Sequence, residues 1–530
     1  MKNSSWITAS ITVLAAVVVL TAVNFTRFPF FLDIYYHLNV MRGFDSAGGV
    51  VTTAFWELAP IGQPLVYPPL FHLLLLGLYK AGLGIMDVAR ISSVLPAILL
   101  FAVIFAVTNG LHSPKRAFFT TLAACIPYSF FLKMTITVPA AISLIFIMLA
   151  FYALARQKIA ACSIFLALVF YTHPGLPWMA CAAFILYGLS ERKARRDAFT
   201  CVLYAVCLSL PQIMHAAANM GRLAGPLGIP MPEGRMYELY PLIYIFAGIG
   251  LVRAACSADA PSKRIGLFAL CLLAAFLPMA VNYRFRFLSA EGLLPVLLVA
   301  GAGLEAVYDR FLKLLKLENA GLGGLGLYTA AFTAVFMFFS PSFSMYIPLD
   351  PPYNKHEFSF HLKDSTAVNL LPAYKRHTRP FEIIMVDDLV EKWVKIVGAN
   401  TSASDIICSN DTFIGSMLSA LSGRANSARM FLEINEPDIP ISEFGSARLA
   451  LWTREYNGKF SSDINECVMK FGYTIISMDE GAAIMVKPVG AHAYPVKPLI
   501  RSPFAFLALA AALYAAFAGL LSGENRAGGK

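Results

Sequence analysis

The sequence predicts a polytopic α-helical membrane protein that carries one small α/β domain near its C-terminus. Of its 530 residues, 58% are hydrophobic and 14% are charged, whereas soluble domains are about half apolar and a quarter charged. Apolar runs of the length needed to cross a bilayer, about 20 residues, recur through most of the chain. Residues 346–500 break this pattern, because they are polar and mixed in charge. The net charge of +10 is diluted among apolar runs, which argues against nucleic acid as a partner.

Twelve apolar runs are predicted to span the bilayer. They begin near Ile7, Val88, Ala117, Pro139, Ile159, Leu176, Ala198, Leu239, Ile265, Leu288, Leu325 and Phe504. The first run has no small-residue cleavage site before Phe25, so we interpret it as a retained signal anchor. Residues 501–530 supply the last span and a short tail.

Lysine and arginine in the short connections predict the orientation. Five connections are basic, namely 112–116, 156–158, 191–196, 253–264 and 310–316, and basic loops stay in the cytoplasm. This places both termini in the cytoplasm and residues 346–500 on the outer side of the cell membrane. The apolar run 68–86 would break the alternation. It is therefore predicted to be a re-entrant or interfacial segment within a long outer loop, 25–87. A thirteenth span, with one misassigned segment elsewhere, is the alternative.

The outer domain has its own secondary-structure pattern. Residues 386–397 show apolar positions at helical spacing, and residues 405–408, 473–476 and 483–486 are typical of buried strands. Cys408 and Cys467 are its only two cysteines. An oxidising exterior permits a disulfide between them, and the sequence leaves that pairing open.

Two polar motifs lie in the long first outer loop. The first reads Asp33-Ile-Tyr-Tyr36-His37, close after the first span, and the second runs from Tyr67 through two prolines to His72. A carboxylate this near the membrane must be solvated or paired, because an isolated charge is costly there. Taken singly, each motif is compatible with an interfacial aromatic belt.

The two motifs together, with the outer segment 282–288 that contains Arg284 and Arg286, resemble the GT-C superfamily of membrane glycosyltransferases. Its members include the catalytic subunit of oligosaccharyltransferase and the protein O-mannosyltransferases. The resemblance implies that residues 1–345 form a multi-span glycosyltransferase domain. It further implies sugar transfer from a polyprenyl-phosphate-linked donor to an extracytoplasmic acceptor, which is a protein, a lipid or a glycan.

The resemblance also implies roles for individual residues. Asp33 occupies the catalytic acidic position, where a carboxylate activates the acceptor or holds a divalent metal, Mg or Mn. Arg286, or its neighbour Arg284, corresponds to the ligand of the lipid phosphate, since a guanidinium fork matches phosphate oxygens. Snorkelling to the interface is the structural alternative for both arginines.

The chain departs from the family pattern in its second outer loop. Relatives carry an acidic residue there, whereas residues 131–141 contain Lys133 and no carboxylate. Glu57 or Asp45 could supply the missing charge, and Lys133 could contact phosphate. Loss of activity is the other possibility, so a non-catalytic lipid-glycan binding or accessory subunit is the alternative function. A transporter of lipid-linked sugars ranks last, because no internal repeat is visible. The Trp-Trp-Asp-Tyr-Gly motif of asparagine recognition is also absent.

Further polar groups complete the set of candidates for substrate binding. Tyr36, His37, Tyr67 and His72 come from the first outer loop, and His173 lies on another outer connection. Glu233, Arg235 and Glu238 lie in or beside a loop rich in proline and glycine that is long enough to act as a lid. A structural role is the simpler interpretation of any one of these residues.

Overall fold

The computed structural model of the chain describes residues 3–23, 25–29, 33–125, 127–136, 138–219, 241–256, 259–282, 284–316, 321, 323–330, 388–428, 441–453, 460–478 and 482–522. Fifteen α-helices lie between residues 3 and 314 of the described chain. They are α1 (Asn3–Val23), α2 (Asp33–Ala47), α3 (Leu70–Lys80), α4 (Ile85–Leu111), α5 (Pro114–Cys125), α6 (Tyr128–Ile136), α7 (Val138–Ala155), α8 (Ile159–Phe170), α9 (Leu176–Ser190), α10 (Arg195–Asn219), α11 (Pro241–Cys256), α12 (Ala260–Phe276), α13 (Met279–Asn282), α14 (Arg284–Ser289) and α15 (Leu293–Leu314).

Six helical stretches in the described part of the chain are long and apolar enough to cross a bilayer. They are Asn3–Val23, Ile85–Leu111, Val138–Ala155, Arg192–Asn219, Arg286–Leu314 and Ser502–Leu521. Shorter apolar helices lie between them, among them Ile159–Phe170 and Leu176–Ser190. The chain is therefore a helical membrane protein, and the total of twelve spans stays a prediction.

Helix α15 packs closely against α5 and α11 because glycines remove side chains at the crossings. A Cβ atom on Gly301 would lie 2.6 Å from the Cα of Thr120, and one on Gly303 would lie 1.9 Å from the carbonyl oxygen of Phe246. Small residues are the usual means of close helix approach in membranes, where lipid is as apolar as the side chains. The interface also holds a buried ion pair between Arg116 and Glu305, with Nε and Oε2 2.5 Å apart.

Residues 25–87, the predicted first outer loop, contribute two helices that run side by side in the same direction. The side chain of His37 in α2 contacts that of His72 in α3. Eight residues later in both helices, Asp45 forms an ion pair with Lys80. Helix α3 has 11 residues, which gives a length of about 16 Å against the roughly 30 Å of a hydrocarbon core. It is shorter than a membrane span, and the re-entrant or interfacial character of residues 68–86 stays a prediction.

Residues 388–501 build a mixed five-stranded sheet with the strand order β5-β4-β6-β8-β7. Its strands are β4 (Ile406–Ser409), β5 (Ala425–Asn426), β6 (Leu449–Thr453), β7 (Thr474–Met478) and β8 (Ala482–Val486), and its helices are α16 (Asp388–Asn400), α17 (Thr412–Ser422) and α18 (Phe460–Phe471). Strand β4 is parallel to β5 and β6, whereas β8 is antiparallel to β6 and β7.

The sequence predicted three of these strands, and one prediction was wrong in its burial. Strands β4 and β8 are buried, but β7 lies at the edge of the sheet with most of its side chains exposed. Among the described strands, β7 pairs with β8 alone. Cys408 and Cys467 are both buried free cysteines, so the structure does not contain the disulfide that the sequence left open.

The sheet docks on the first outer loop through backbone hydrogen bonds. The Asn426 N–H donates to the Trp56 carbonyl at 2.8 Å, and the Ala59 N–H donates to the Asn426 carbonyl at 3.0 Å. Strand β1 (Gly49–Val50) pairs with β9 (Ile500–Arg501), which leads directly into α19 (Ser502–Leu521). The predicted first outer loop is therefore hydrogen-bonded both to the sheet and to the strand that precedes the last apolar helix.

Candidate functional site

The centre of the candidate site is a pair of hydrogen-bonded histidines. Nδ1 of His37 lies 3.0 Å from Nε2 of His72, and both side chains are buried. Aromatic rings enclose the pair: the centroid of the His37 ring lies 5.1 Å from that of Tyr67 and 5.0 Å from that of Phe71. Tyr36 packs edge-on against both His37 and Tyr67. Four of the residues predicted from the first outer loop, at positions 36, 37, 67 and 72, are thus in one cluster.

The segment before α3 is held from outside the first loop. The Leu70 N–H donates to the Tyr171 carbonyl at 2.8 Å, where Pro69 precedes the first turn of α3. His215 donates from Nε2 to the Leu65 carbonyl at 2.8 Å, and Gln212 donates to the carbonyl of Val66. These bonds fix the backbone on both sides of Tyr67 and so orient its ring toward the histidines.

His173 enters the cluster from the connection between α8 and α9. Its Nδ1 accepts from the Gly175 N–H at 3.1 Å and from the Leu176 N–H at 3.2 Å. Because Nδ1 accepts, the neutral ring carries its proton on Nε2 and offers that N–H as a donor. The His173 ring lies 6.4 Å from the Tyr67 ring, centroid to centroid. Arg286 is close enough that its charge opposes protonation of His173.

Arg286 faces a buried carboxylate that the sequence analysis missed. Nε of Arg286 lies 3.8 Å from Oε1 of Glu291, whose side chain is fully buried. Neither oxygen of Glu291 accepts a hydrogen bond from the part of the chain that the structure describes. The available signal was a glutamate five residues after Arg286 at the start of an apolar run, since a carboxylate there needs a partner. Arg284 lies in the same short helix, α14, but its side chain is not among those described.

Lys133 lies in a helix and not in the loop predicted for residues 131–138. That segment is most of α6, where Lys133 and Thr135 are buried. Helix α6 packs against α4 and against α14, the helix that carries Arg286. The apolar sequence around Lys133 favours a helix, because backbone N–H and C=O groups that are shielded from water must form hydrogen bonds with one another.

Asp33 and Asp45 lie twelve residues apart on α2, which is about 18 Å along the helix. Asp33 begins α2 and shares a helix face with His37, one turn later. Glu57 is buried beside the docked sheet, and Asp45 pairs with Lys80.

Burial keeps the three histidines neutral. Burial, assisted by His72 and His173, lowers the pKa of His37 well below its ordinary value. Burial also lowers the pKa of His72 to about 3, against a smaller opposing effect of the Pro68 carbonyl. For His173, burial and then the charge of Arg286 lower the pKa. Neutral imidazoles both donate and accept hydrogen bonds, so the cluster can move a proton.

The described residues contain no group of three or more histidine, cysteine, aspartate or glutamate side chains that could hold a metal ion. Asp33 is the metal ligand that the sequence predicted. Mg²⁺ is usually bound through one or two carboxylates together with water and substrate phosphate, so the metal stays a prediction. The predicted lid residues, Glu233, Arg235 and Glu238, lie outside the described part of the chain.

The fold is similar to solved structures of membrane enzymes. It matches the oligosaccharyltransferase of Archaeoglobus fulgidus in the apo form with a TM-score of 0.54 and 12% identity, over 87% of this chain and 71% of that one. ArnT from Cupriavidus metallidurans bound to undecaprenyl phosphate matches with a TM-score of 0.54 and 13% identity, over 91% and 98% of the chains.

A third similar structure also contains a lipid phosphate. The archaeal oligosaccharyltransferase AglB, in complex with an inhibitory peptide and a dolichol-phosphate, matches with a TM-score of 0.51 and 11% identity, over 86% of this chain and 70% of that one. The chain therefore has the fold of these membrane enzymes. No protein-family model and no curated protein sequence matches the chain.

Proposed function

We propose that the protein transfers a sugar from a polyprenyl-phosphate-linked donor to an acceptor on the extracytoplasmic face of the membrane. The observation that carries this proposal is the convergence of three predicted outer connections on one cluster. Residues 33–72 bring His37, His72 and Tyr67, residues 171–175 bring His173, and residues 284–291 bring Arg286. The similar structures that hold dolichol or undecaprenyl phosphate support the class of donor.

In the proposed reaction the donor phosphate binds near Arg286, and the acceptor binds near Asp33. Arg286 binds the donor phosphate and stabilises the charge that builds on it as the glycosidic C–O bond breaks. Lys133 is proposed as a second phosphate ligand, since α6 packs against α14. Glu291 keeps the Arg286 guanidinium in place by its charge. Asp33, on the same face of α2 as His37, accepts a hydrogen bond from the acceptor group and orients it.

No step of this reaction is assigned to a metal. One similar oligosaccharyltransferase structure is described as a complex with Zn and sulfate, but the described donors of this chain do not match such a site. The sugar is proposed to lie against Tyr36 and Tyr67, whose rings can pack on its apolar faces.

In the proposed topology the chain crosses the membrane twelve times. Both termini lie in the cytoplasm, and the C-terminal sheet lies outside the cell. The five basic connections support it through their charge. Cysteine-labelling of intact cells tests it: a cysteine introduced at His492, which is exposed at 46% of its side chain, should react with an impermeant maleimide. One introduced at Lys193, in a basic connection, should react only after lysis.

The full chain in lipid nanodiscs tests the activity. A panel of tritiated hexoses on undecaprenyl phosphate and on dolichol phosphate is incubated with membranes of the source cell as acceptor. We expect label to leave the donor lipid, and Asp33→Asn and Arg286→Gln to reduce that transfer by about 10²-fold or more. Transfer at the wild-type rate by both variants would contradict the assignment of the site.

A non-catalytic, lipid-glycan binding subunit is the second candidate. The lack of a carboxylate in residues 131–141 favours it. Binding of undecaprenyl phosphate that needs Arg286, together with no transfer from any donor in the panel, would support this second function in place of the first.

A further inference from the structure

The connection between α14 and α15 is a closed loop. The Gly292 N–H donates to the Arg286 carbonyl at 3.0 Å, which joins the two ends of the loop. Glycine permits this closure, because a Cβ atom on Gly292 would lie 2.2 Å from the carbonyl oxygen of Phe287. From α11, the Tyr244 hydroxyl donates to the Leu288 carbonyl at 2.9 Å. The backbone of the loop is therefore fixed both from within and from a neighbouring helix.

Glu291 of this loop is a buried carboxylate whose oxygens accept no hydrogen bond. Its side chain is fully buried, and both Oε1 and Oε2 lack a donor within the described part of the chain. Its ion pair with Arg286 measures 3.8 Å from Oε1 to Nε, which is longer than an N–H···O hydrogen bond of about 2.7–3.2 Å. A buried carboxylate needs hydrogen bonds as well as an opposite charge. The site of Glu291 therefore calls for a donor that the described protein does not supply.

The groups near Glu291 are themselves hydrogen-bond donors. The Arg286 side chain is 23% exposed and so is open to a ligand. His173, which lies within electrostatic range of Arg286, presents an Nε2–H, because its Nδ1 accepts from two backbone amides. A bare oxyanion would satisfy these donors but would be repelled by the carboxylate. A ligand that carries an oxyanion and a hydroxyl group side by side matches the whole set.

We propose that Glu291 is a specificity-determining residue that accepts a hydrogen bond from a hydroxyl group of the donor sugar. This inference rests on the proposed function, in which Arg286 binds the phosphate that carries the sugar. In a glycosyl phosphate, the hydroxyl on carbon 2 is the one separated from phosphorus by the fewest bonds. It therefore lies beside a phosphate that is bound to Arg286, and it is the hydroxyl that Glu291 recognises.

The length of the ion pair is compatible with this contact. Two atoms 3.8 Å apart can both bond to one oxygen at about 2.8 Å from each. A hydroxyl in that position donates to Oε1 of Glu291 and accepts from Nε of Arg286, which matches its one proton and its lone pairs. The substrate class is thus a polyprenyl-phosphate sugar with a free 2-hydroxyl group.

Equilibrium binding to the full chain in nanodiscs tests the contact. The ligands are undecaprenyl phosphate, a panel of hexosyl undecaprenyl phosphates, and the 2-deoxy analogue of the hexosyl lipid that binds most tightly. In the wild type, loss of the 2-hydroxyl should weaken binding about 10- to 100-fold, because hydrogen bonds to a charged group are strong. In Glu291→Met, which has no carboxylate, the two lipids should bind within about threefold of each other.

Glu291→Gln keeps the shape of the side chain and one acceptor oxygen but removes the charge. It should give a ratio between those of the wild type and Glu291→Met, and it carries the test if a melting curve shows that Glu291→Met does not fold. Asp309→Asn is the matched control. It changes a half-exposed carboxylate in α15 and should keep the wild-type preference for the 2-hydroxyl.

The outcomes separate this contact from a role of Glu291 that is confined to holding Arg286. Equal weakening of all the lipids in Glu291→Gln, with the preference for the 2-hydroxyl retained, would overturn the inference alone. So would a wild-type protein that binds no hexosyl lipid more tightly than undecaprenyl phosphate. A preference for the 2-hydroxyl that needs Glu291, in a protein that transfers no sugar, would support the inference and overturn the proposed transfer.

Discussion

The side-chain amide of Asn39 donates to the carbonyl oxygen of Ser416 at 2.9 Å, across 377 residues of sequence. Asn39 lies two positions after His37 on α2, and Ser416 lies in the middle of α17. The C-terminal sheet thus bonds directly to the helix that carries Asp33 and His37. Arg42 adds a second bond, to the Leu421 carbonyl at 3.3 Å. The position of the candidate site therefore depends on the C-terminal sheet.

Asn39→Ala should destabilise the protein by about 0.5–1.5 kcal/mol, because it removes the buried side-chain hydrogen bond to the Ser416 carbonyl. Thermal unfolding of the full chain in nanodiscs measures the effect. Ser46→Ala, at an exposed position of the same helix, is the matched control and should stay within about 0.5 kcal/mol of wild type. Equal stability of the two variants would show that the contact does not bind the sheet to α2.

Gly43→Ala should destabilise the first outer loop. A Cβ atom at this position would lie 2.0 Å from the Trp56 ring, and forced repacking of a buried ring costs about 1–3 kcal/mol. Gly77→Ala is the control, since its Cβ would make an ordinary contact with Phe506 at 3.6 Å. It replaces a helical glycine and should stabilise α3 by up to about 1 kcal/mol. Melting temperatures that move in the same direction would contradict the packing described for Trp56.

Glu305→Leu should cost about 3–5 kcal/mol, because it leaves Arg116 buried without its carboxylate. The double variant Arg116→Met, Glu305→Leu removes both charges and should recover most of that loss. Asp309→Asn, at the half-exposed edge of the same ion-pair group, should cost less than about 1 kcal/mol. A double variant no more stable than Glu305→Leu would show that lost packing, and not an unpaired charge, causes the defect.

His72 should make the protein less stable in mild acid. Burial lowers its pKa to about 3 in the folded protein, whereas in the unfolded chain it titrates near the usual value of about 6.5. The unfolded state binds the proton first, so stability is complete above pH 6.5 and falls as the pH drops from there toward 3. The loss is about 1.4 kcal/mol per pH unit for this histidine. Melting curves between pH 7.5 and 5 should show a smaller pH dependence in His72→Gln than in wild type, and an identical dependence would contradict this origin.

The first outer loop shows how far the sequence could go. Its Asp33-to-His37 and Tyr67-to-His72 motifs pointed to one site, and the structure brings His37, Tyr67 and His72 into contact. The sequence could not predict in the same way whether Asp33 and Glu57 lie close together. Their separation depends on where the segment of Trp56 packs against α2, and packing between segments has no local sequence pattern.

Glu291 and Lys133 show what the sequence could not decide. Lys133 was assigned to a connection between two predicted spans, yet it is buried in α6. Glu291 was passed over although a carboxylate at the start of an apolar run needs a partner, because the sequence does not show that its partner is Arg286, at 3.8 Å. The role of a buried polar group depends on the groups that it contacts, and the tertiary fold determines which groups those are.

The sequence by itself determined that this is a helical membrane protein, with a polar segment near its C-terminus and motifs concentrated in one loop. Apolar content and helical periodicity are local properties of the sequence, and they decide directly whether a segment is more stable in lipid or in water. Only the tertiary structure decided that His37 bonds to His72. It also decided that Ser416 holds the helix of Asp33 and that Glu291 faces Arg286. These contacts join residues up to 377 positions apart, and their geometry follows from the packing of the whole chain.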